Sequence, residues 1–221
     1  MAIDLDAIRR LAADVDSTAI CDADKDTRVM SPALRCRSAN PVLCGPAATV
    51  QCRDDILGVL RAVDAAGPGE VLVVDGGGHR TALAGELFTR AALARGLAGI
   101  VVDGGYRDLG YVATSQLPVY SRYVSPMAGT SIRPGTLGRP VACGGVVVSP
   151  GDIVLADVHG IVVLDPDRAI EVLRAAAEVQ AVEARVIARL EQGARLRDCL
   201  NVDEHVARLA QGQPSTLRFT V

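Results

Sequence analysis

The chain has 221 residues, of which 49% are hydrophobic, 22% charged and 3% aromatic, with no tryptophan and a formal net charge of −3. That length suits one large domain, or one domain with a helical extension, whose core is filled by Val, Leu, Ile and Ala. The balance excludes the basic stripe and aromatic stacking platforms of a nucleic-acid binder, and no apolar run is long enough to span a membrane. The opening Met1-Ala2-Ile3-Asp4 does not read as a signal peptide. None of the six cysteines falls in a C-x-x-C pair. Cys36, Cys44 and Cys52 are evenly spaced but straddle expected strands, so all six read as free thiols in a reducing, cytoplasmic setting.

In chain order, Ile3–Val15 has helical spacing, with Leu5, Ile8, Leu11 and Ala12 on one stripe. Asp16-Ser17-Thr18 caps a second short helix. An irregular stretch lies between Pro32 and Pro41. Gly45-Pro46 opens a strand through Cys52, and Asp54-Asp55 caps a helix over Ile56–Ala66. Glu70–Asp75 is a β-branched run buried on both faces, followed by Gly76-Gly77-Gly78. A helix over Gly85–Arg95 ends at Gly96, and a second apolar strand covers Gly99–Asp103. The two strands, joined by a helix, form a βαβ unit and are expected to be parallel neighbours. Arg107–Thr114 reads as a short helix and Pro118–Tyr120 as a strand. Thr130–Leu164 has frequent strands and tight turns, which implies a β layer. Asp165 as N-cap with Pro166 at N1 opens a long helix over Asp167–Leu190, with Ile170, Leu173, Ala177 and Val186 on its apolar stripe. The expectation is one α/β domain over residues 1–221. Its central parallel or mixed sheet has flanking helices, and a helical extension over residues 166–221 contacts a neighbouring subunit.

Three stretches invite chemistry. Gly76–Gly78 fits neither G-x-G-x-x-G nor a P-loop; it is either a ligand cradle or a loop that lets two backbones approach. At Gly85-Glu86-Leu87-Phe88 the first-turn amides have no acceptor within their helix and form an anion site with the dipole, unless Glu86 merely complements that dipole. Arg107-Asp108 follows the next parallel strand, at the sheet end where open α/β folds bind ligands. Arg is a planar fork for carboxylate or enolate oxygens and Asp a hard ligand for Mg²⁺ or Mn²⁺; the alternative is a surface ion pair. His79, His159 and His205 lack the spacing of a metal or nucleophile site.

The stretch DGGGHRTALAGELFTRAALARGLAGIVVDGGYRDLG resembles the family of 4-hydroxy-4-methyl-2-oxoglutarate aldolases and regulator of ribonuclease activity A proteins. DSTAICDA, GGVVVSPGDIVLADVHGIVVLD and EARVIARLEQG extend the resemblance over nearly the whole chain. It implies an RraA-like fold related to phosphohistidine swivelling domains, assembled as a homotrimer or homohexamer. It implies a divalent-metal aldolase acting on 4-hydroxy-4-methyl-2-oxoglutarate or 4-carboxy-4-hydroxy-2-oxoadipate, releasing pyruvate and a second 2-oxo acid, with oxaloacetate decarboxylation alongside. By that resemblance Asp108 holds Mg²⁺ or Mn²⁺, and Arg107 binds the keto oxygen and stabilises the enolate. The amides of Glu86, Leu87 and Phe88 beyond Gly85 bind the pyruvyl carboxylate, and Glu183 reaches a neighbour's site to assist proton transfer. The only lysine, Lys25, is far from the motif, which disfavours a Schiff base. Two positions depart from some active relatives: Tyr111 stands where they carry Asp or Glu, and Glu86 where they carry Asp. The alternative the resemblance implies is a non-catalytic protein that binds and inhibits a ribonuclease. A methyl-donor site is not legible, because no acidic residue follows the glycine loop at ribose-binding distance.

Overall fold

The computed structural model describes residues 4–221, so the reading of Met1–Ile3 lies outside the described residues. Asp4 accepts the Ala7 amide to cap α1 (Leu5–Ala12), and Asp16 accepts the Ala19 amide to cap α2 (Ser17–Ala23). Short strands β1 (Arg28–Val29) and β2 (Arg35–Cys36) precede a long β3 (Leu43–Gln51), which starts before the expected Gly45-Pro46 step. The reason is a change of neighbours. Residues 43–46 pair antiparallel with residues 153–156, and residues 47–51 pair parallel with residues 71–75. Ala47 donates to Asp152 O, so strand alternation turns the Pro46 nitrogen away from the first neighbour, before the second has begun.

The centre is a βαβ array: α3 (Leu57–Ala65), β4 (Val71–Asp75), β5 (Ala82–Ala84), α4 (Glu86–Ala94), β6 (Gly99–Tyr106), α5 (Leu109–Val112) and β7 (Val119–Val124). Then come β8 (Thr136–Leu137), β9 (Val141–Cys143), β10 (Val146–Val148), β11 (Ile153–Ala156), β12 (Ile161–Leu164), α6 (Ala169–Glu191) and α7 (Val202–Ala210). The main sheet has the order β1-β12-β11-β3-β4-β6-β7-β2, with β5 on β6 and β8 on β3. The stretch β3-β4-β6-β7 is parallel, as the βαβ reading requires, and the outer pairs are antiparallel.

Alternation splits β4 between two cores. Leu72 and Val74 face α3, α4 and α5 with Ile100, Val102 and Tyr106, while Val71 and Val73 face the β9–β10 hairpin with Val101 and Tyr120. A third core joins α1, α2 and α6 to β11 and β12 through Ile8, Ile20, Ile153, Val162 and Leu173.

Four expectations need correcting. The segment over Thr130–Leu164 is not one layer: β11 and β12 extend the main sheet, and only β9 and β10 form a separate two-stranded sheet. Strand β6 runs to Tyr106 rather than Asp103. Gly104 and Gly105 carry it past β5, and a Cβ on Gly105 would lie 2.6 Å from Thr81 O and 2.7 Å from Arg80 O. Asp165 caps a turn rather than the long helix, accepting the Asp167 amide at 2.9 Å, and α6 begins at Ala169. The buried stripe of α6 is therefore Ala169, Val172, Leu173, Ala176 and Val186, with Ile170 and Ala177 only half-buried. Among the described residues all six cysteines are free, and no helix is long and apolar enough to cross a membrane.

Candidate active site

The candidate site lies at the carboxyl ends of β5 and β6, where two chain segments meet. Gly85 stands at the N-cap of α4 in extended backbone, φ −171° and ψ −151°, which any residue adopts. Its lack of a side chain matters for space: a Cβ there would overlap Asp108 Oδ2 and approach Arg107 Cγ to 2.7 Å. Asp108 itself is left-handed, φ 59° and ψ 42°, one of two non-glycine residues among those described with positive φ. Such a conformation costs a non-glycine residue on the order of 1 kcal/mol and points to a local requirement.

That requirement is visible in the contacts. Asp108 stands at the N-cap of α5, and its own carbonyl accepts the Tyr111 and Val112 amides at 3.1 Å. Its carboxylate instead reaches α4, where Oδ2 accepts the Glu86 amide at 3.0 Å. Arg107 Nε lies 3.5 Å from the same oxygen. Among the described residues no acceptor stands against the Leu87 and Phe88 amides, and no donor against Asp108 Oδ1. The mouth is open: the Arg107 and Asp108 side chains are 40% and 39% exposed, and Leu87 is 74% exposed. The hollow of about 450 Å³ lined by α1, α2, β3 and β11 lies elsewhere.

Beneath this mouth runs a buried polar chain that the sequence reading did not single out. Thr89 Oγ1 donates to Gly85 O at 2.9 Å and so has no proton left for Tyr106, 2.7 Å away; the Tyr106 hydroxyl must therefore donate to Thr89. Burial pushes the Tyr106 phenol up, so it stays protonated in this role. Arg107 is anchored through its amide, which donates to Ala84 O at 3.1 Å. On the flank, Arg90 Nε is 2.8 Å from Glu86 Oε1, and the Arg90 guanidinium carbon is 4.0 Å from the centre of the Tyr111 ring. The sequence reading did not single out the Glu86–Arg90 pair, although its i, i+4 spacing is the signal that could have found it.

Glu183 is half-buried on α6, which packs on α2 and α1, and no hydrogen bond or ion pair within the chain joins it to Arg107 or Asp108. Among the described residues no group of three or more His, Cys, Asp or Glu is arranged to hold a metal. A single exposed carboxylate with one oxygen uncommitted suits Mg²⁺, which retains several waters and takes one or two carboxylates plus substrate oxygens. Two of the three histidines have other partners: His79 pairs with Asp54 at 2.8 Å, and His205 Nδ1 is 3.0 Å from Ser215 Oγ. The glycine loop serves close approach. Gly77 and Gly78 have φ of 64° and 70°, and a Cβ on Gly76 would lie 2.7 Å from Asp103 O.

The chain matches the RraA-like family, described as Aldolase/RraA, over residues 17–163. A protein of Halalkalibacterium halodurans named "Putative 4-hydroxy-4-methyl-2-oxoglutarate aldolase" is 34% identical over 169 residues, covering 76% of this chain and 80% of that protein. The structure of Streptomyces coelicolor RraAS2, described as an unusual member of the RNase ES inhibitor RraA protein family, superposes with a TM-score of 0.74. It is 29% identical, over 85% of this chain and 100% of that one. A Geobacillus kaustophilus structure named S-adenosylmethionine:2-dimethylmenaquinone methyltransferase gives 0.65 at 32% identity, over 67% of this chain and 94% of that one. Joined to the α/β architecture and the convergence of α4 with Arg107 and Asp108, these matches establish that the chain belongs to the Aldolase/RraA family.

Proposed function

We propose that this chain is a divalent-metal-dependent carbon–carbon lyase. It would cleave a 4-hydroxy-4-substituted 2-oxo acid of the 4-hydroxy-4-methyl-2-oxoglutarate or 4-carboxy-4-hydroxy-2-oxoadipate type to pyruvate and a second 2-oxo acid, and would decarboxylate oxaloacetate. The observation that carries this reading is the meeting of the Glu86 amide, Asp108 and Arg107 within 3.0 and 3.5 Å around one open mouth. The names of relatives such as the Halalkalibacterium halodurans protein support it.

In this reading the Leu87 and Phe88 amides, with the α4 dipole, bind the 2-oxo acid's carboxylate; the Glu86 amide, also expected there, is instead taken by Asp108 Oδ2. Arg107 directs its guanidinium at the keto oxygen and stabilises the negative charge that gathers there as the bond breaks. Asp108 would hold Mg²⁺ or Mn²⁺, which when bound supplies Lewis-acid polarisation of the substrate oxygens. Gly85 keeps the space above the helix start open for both side chains. Glu183 is assigned to proton transfer through water in a neighbouring subunit's site, within a homotrimer or homohexamer.

Pyruvate release from oxaloacetate, measured with Mg²⁺ in the presence and absence of a chelator, tests the reading. Activity is expected only with free metal, and Arg107→Ala should lower kcat about 10²–10³-fold. Equal rates with and without chelator would rule out the metal mechanism.

The Streptomyces coelicolor neighbour's description supports a second reading, a protein that binds a ribonuclease. Ribonuclease capture that survives Asp108→Ala, with no lyase activity in either protein, would favour it. A methyl-transfer role has less support, because close backbone packing takes up the space at Gly76 where the glycine loop meets β6.

A further inference from the structure

Glu86 poses an electrostatic problem. Its amide belongs to the helix start proposed to bind a 2-oxo acid, yet its side chain is a carboxylate in the first turn of that same helix. Left unneutralised, this charge would repel an anionic ligand and attract a cation. Arg90 lies one turn further along the same face, with Nε 2.8 Å from Glu86 Oε1. Arg90 is itself held from the other side of the mouth, its guanidinium carbon 4.0 Å from the centre of the Tyr111 ring. Tyr111 belongs to α5, the helix whose N-cap is Asp108, and its amide donates to Asp108 O at 3.1 Å. Arg90 therefore bridges the two helices that carry the two halves of the site.

We infer that Arg90, clamped on Tyr111, is a positioning residue that neutralises Glu86 and sets the anion affinity of the mouth. The inference rests on the proposed 2-oxo acid reading. Arg90 touches no reacting atom; it acts through Glu86. The pair is more than a third exposed at both side chains, 56% and 37%, so its loss should leave the fold intact. The acidic residue that favours the helix start stays in place.

The test is oxalate binding, an isostere of the pyruvate enolate, measured by calorimetry at saturating Mg²⁺, together with Mg²⁺ binding measured alone. Arg90→Ala should weaken oxalate about three- to tenfold, the range expected of one half-exposed charge. The same change should leave Mg²⁺ binding no weaker, because it removes a positive charge. Structural damage would weaken both. Adding Glu86→Gln to Arg90→Ala should restore oxalate affinity, because the charge that required neutralising has gone. Tyr111→Phe should retain affinity, and Tyr111→Leu should lose part of it. Oxalate affinity within twofold of wild type in Arg90→Ala, or a double variant as weak as the single, would overturn the inference alone. Failure of the wild-type protein to bind oxalate with Mg²⁺ would overturn the reading of the site beneath it.

Discussion

At the scale of the residue, the site depends on a missing side chain. Gly85 has a backbone conformation open to any residue, so alanine there meets no torsional penalty. What it meets is Asp108 Oδ2 and Arg107 Cγ. A carboxylate tip moves more readily than a packed backbone, so Gly85→Ala should push Asp108 off the Glu86 amide rather than unfold the protein. The expected result is a melting temperature within a few degrees of wild type and kcat/KM for oxaloacetate down by about 10–100-fold, the cost of a small misplacement of positioned groups. Unchanged kcat/KM would show that the Asp108–Glu86 contact has no part in turnover. The sequence made Arg107, Asp108 and the helix start visible, because an Arg-Asp pair after an apolar strand and a glycine before a helical period are local signals. It did not reveal why position 85 is glycine, because the atoms that require it lie more than twenty residues away in the chain. Nor did it reveal the Tyr106–Thr89–Gly85 chain, whose members are ordinary core residues until tertiary packing aligns them.

At the scale of the element, Asp55 fastens the start of α3 to the loop after β7. Oδ1 accepts the Leu57 amide at 2.9 Å, and Oδ2 accepts the Thr130 hydroxyl and the Ile132 and Arg133 amides at 2.7–2.9 Å. Burial alone would raise its pKa, but these donors outweigh burial and hold it at about 2. A carboxyl group depressed in the folded state contributes stability above its unfolded pKa and loses it as pH falls through the folded value. The contribution should therefore be complete above about pH 4 and fade toward pH 2. Asp55→Asn should flatten that part of the denaturation profile, and at neutral pH it should cost on the order of 2 kcal/mol, because an amide cannot accept all four donors. A variant with an unaltered acid limb would remove Asp55 from this role. The sequence marked Asp54-Asp55 as the cap of this helix, but the N-cap is Ile56 without a side-chain cap, Asp54 turns to Thr81 and His79, and the partners of Asp55 in a loop 75 residues away have no local signature. Legibility followed periodicity elsewhere too. The continuous apolar runs of β4 and β6 made their parallel pairing readable. The three-residue β5 was too short to announce itself, and the displaced start of α6 moved its buried stripe off the expected positions.

At the scale of the whole molecule, the three cores cover the sheet but leave the C-terminal part exposed. Helix α7 buries none of its residues, and Ile187, Leu196, Val206, Leu209 and Leu217 are each about half exposed. We propose that these side chains meet another chain, as the expected helical extension would require. On the proposed reading, such an interface would deliver Glu183 to a neighbour's site. Two consequences can be separated. Val206→Asp combined with Leu209→Asp should lower the mass seen by light scattering while circular dichroism keeps its helical signal, since neither side chain is buried. In a mixed assembly, an Arg107→Ala chain lacks its own guanidinium but can lend Glu183, and a Glu183→Gln chain has the reverse defect. Co-refolding the two inactive proteins should restore activity in those interfaces that combine an intact Arg107 with an intact Glu183. If Glu183 served its own chain, each subunit would keep one defect and the mixture would stay inactive. If Glu183 had no role, the Glu183→Gln protein would be active before mixing. The three outcomes are distinct, so one titration of the two variants against each other decides whether the site is built from one chain or two.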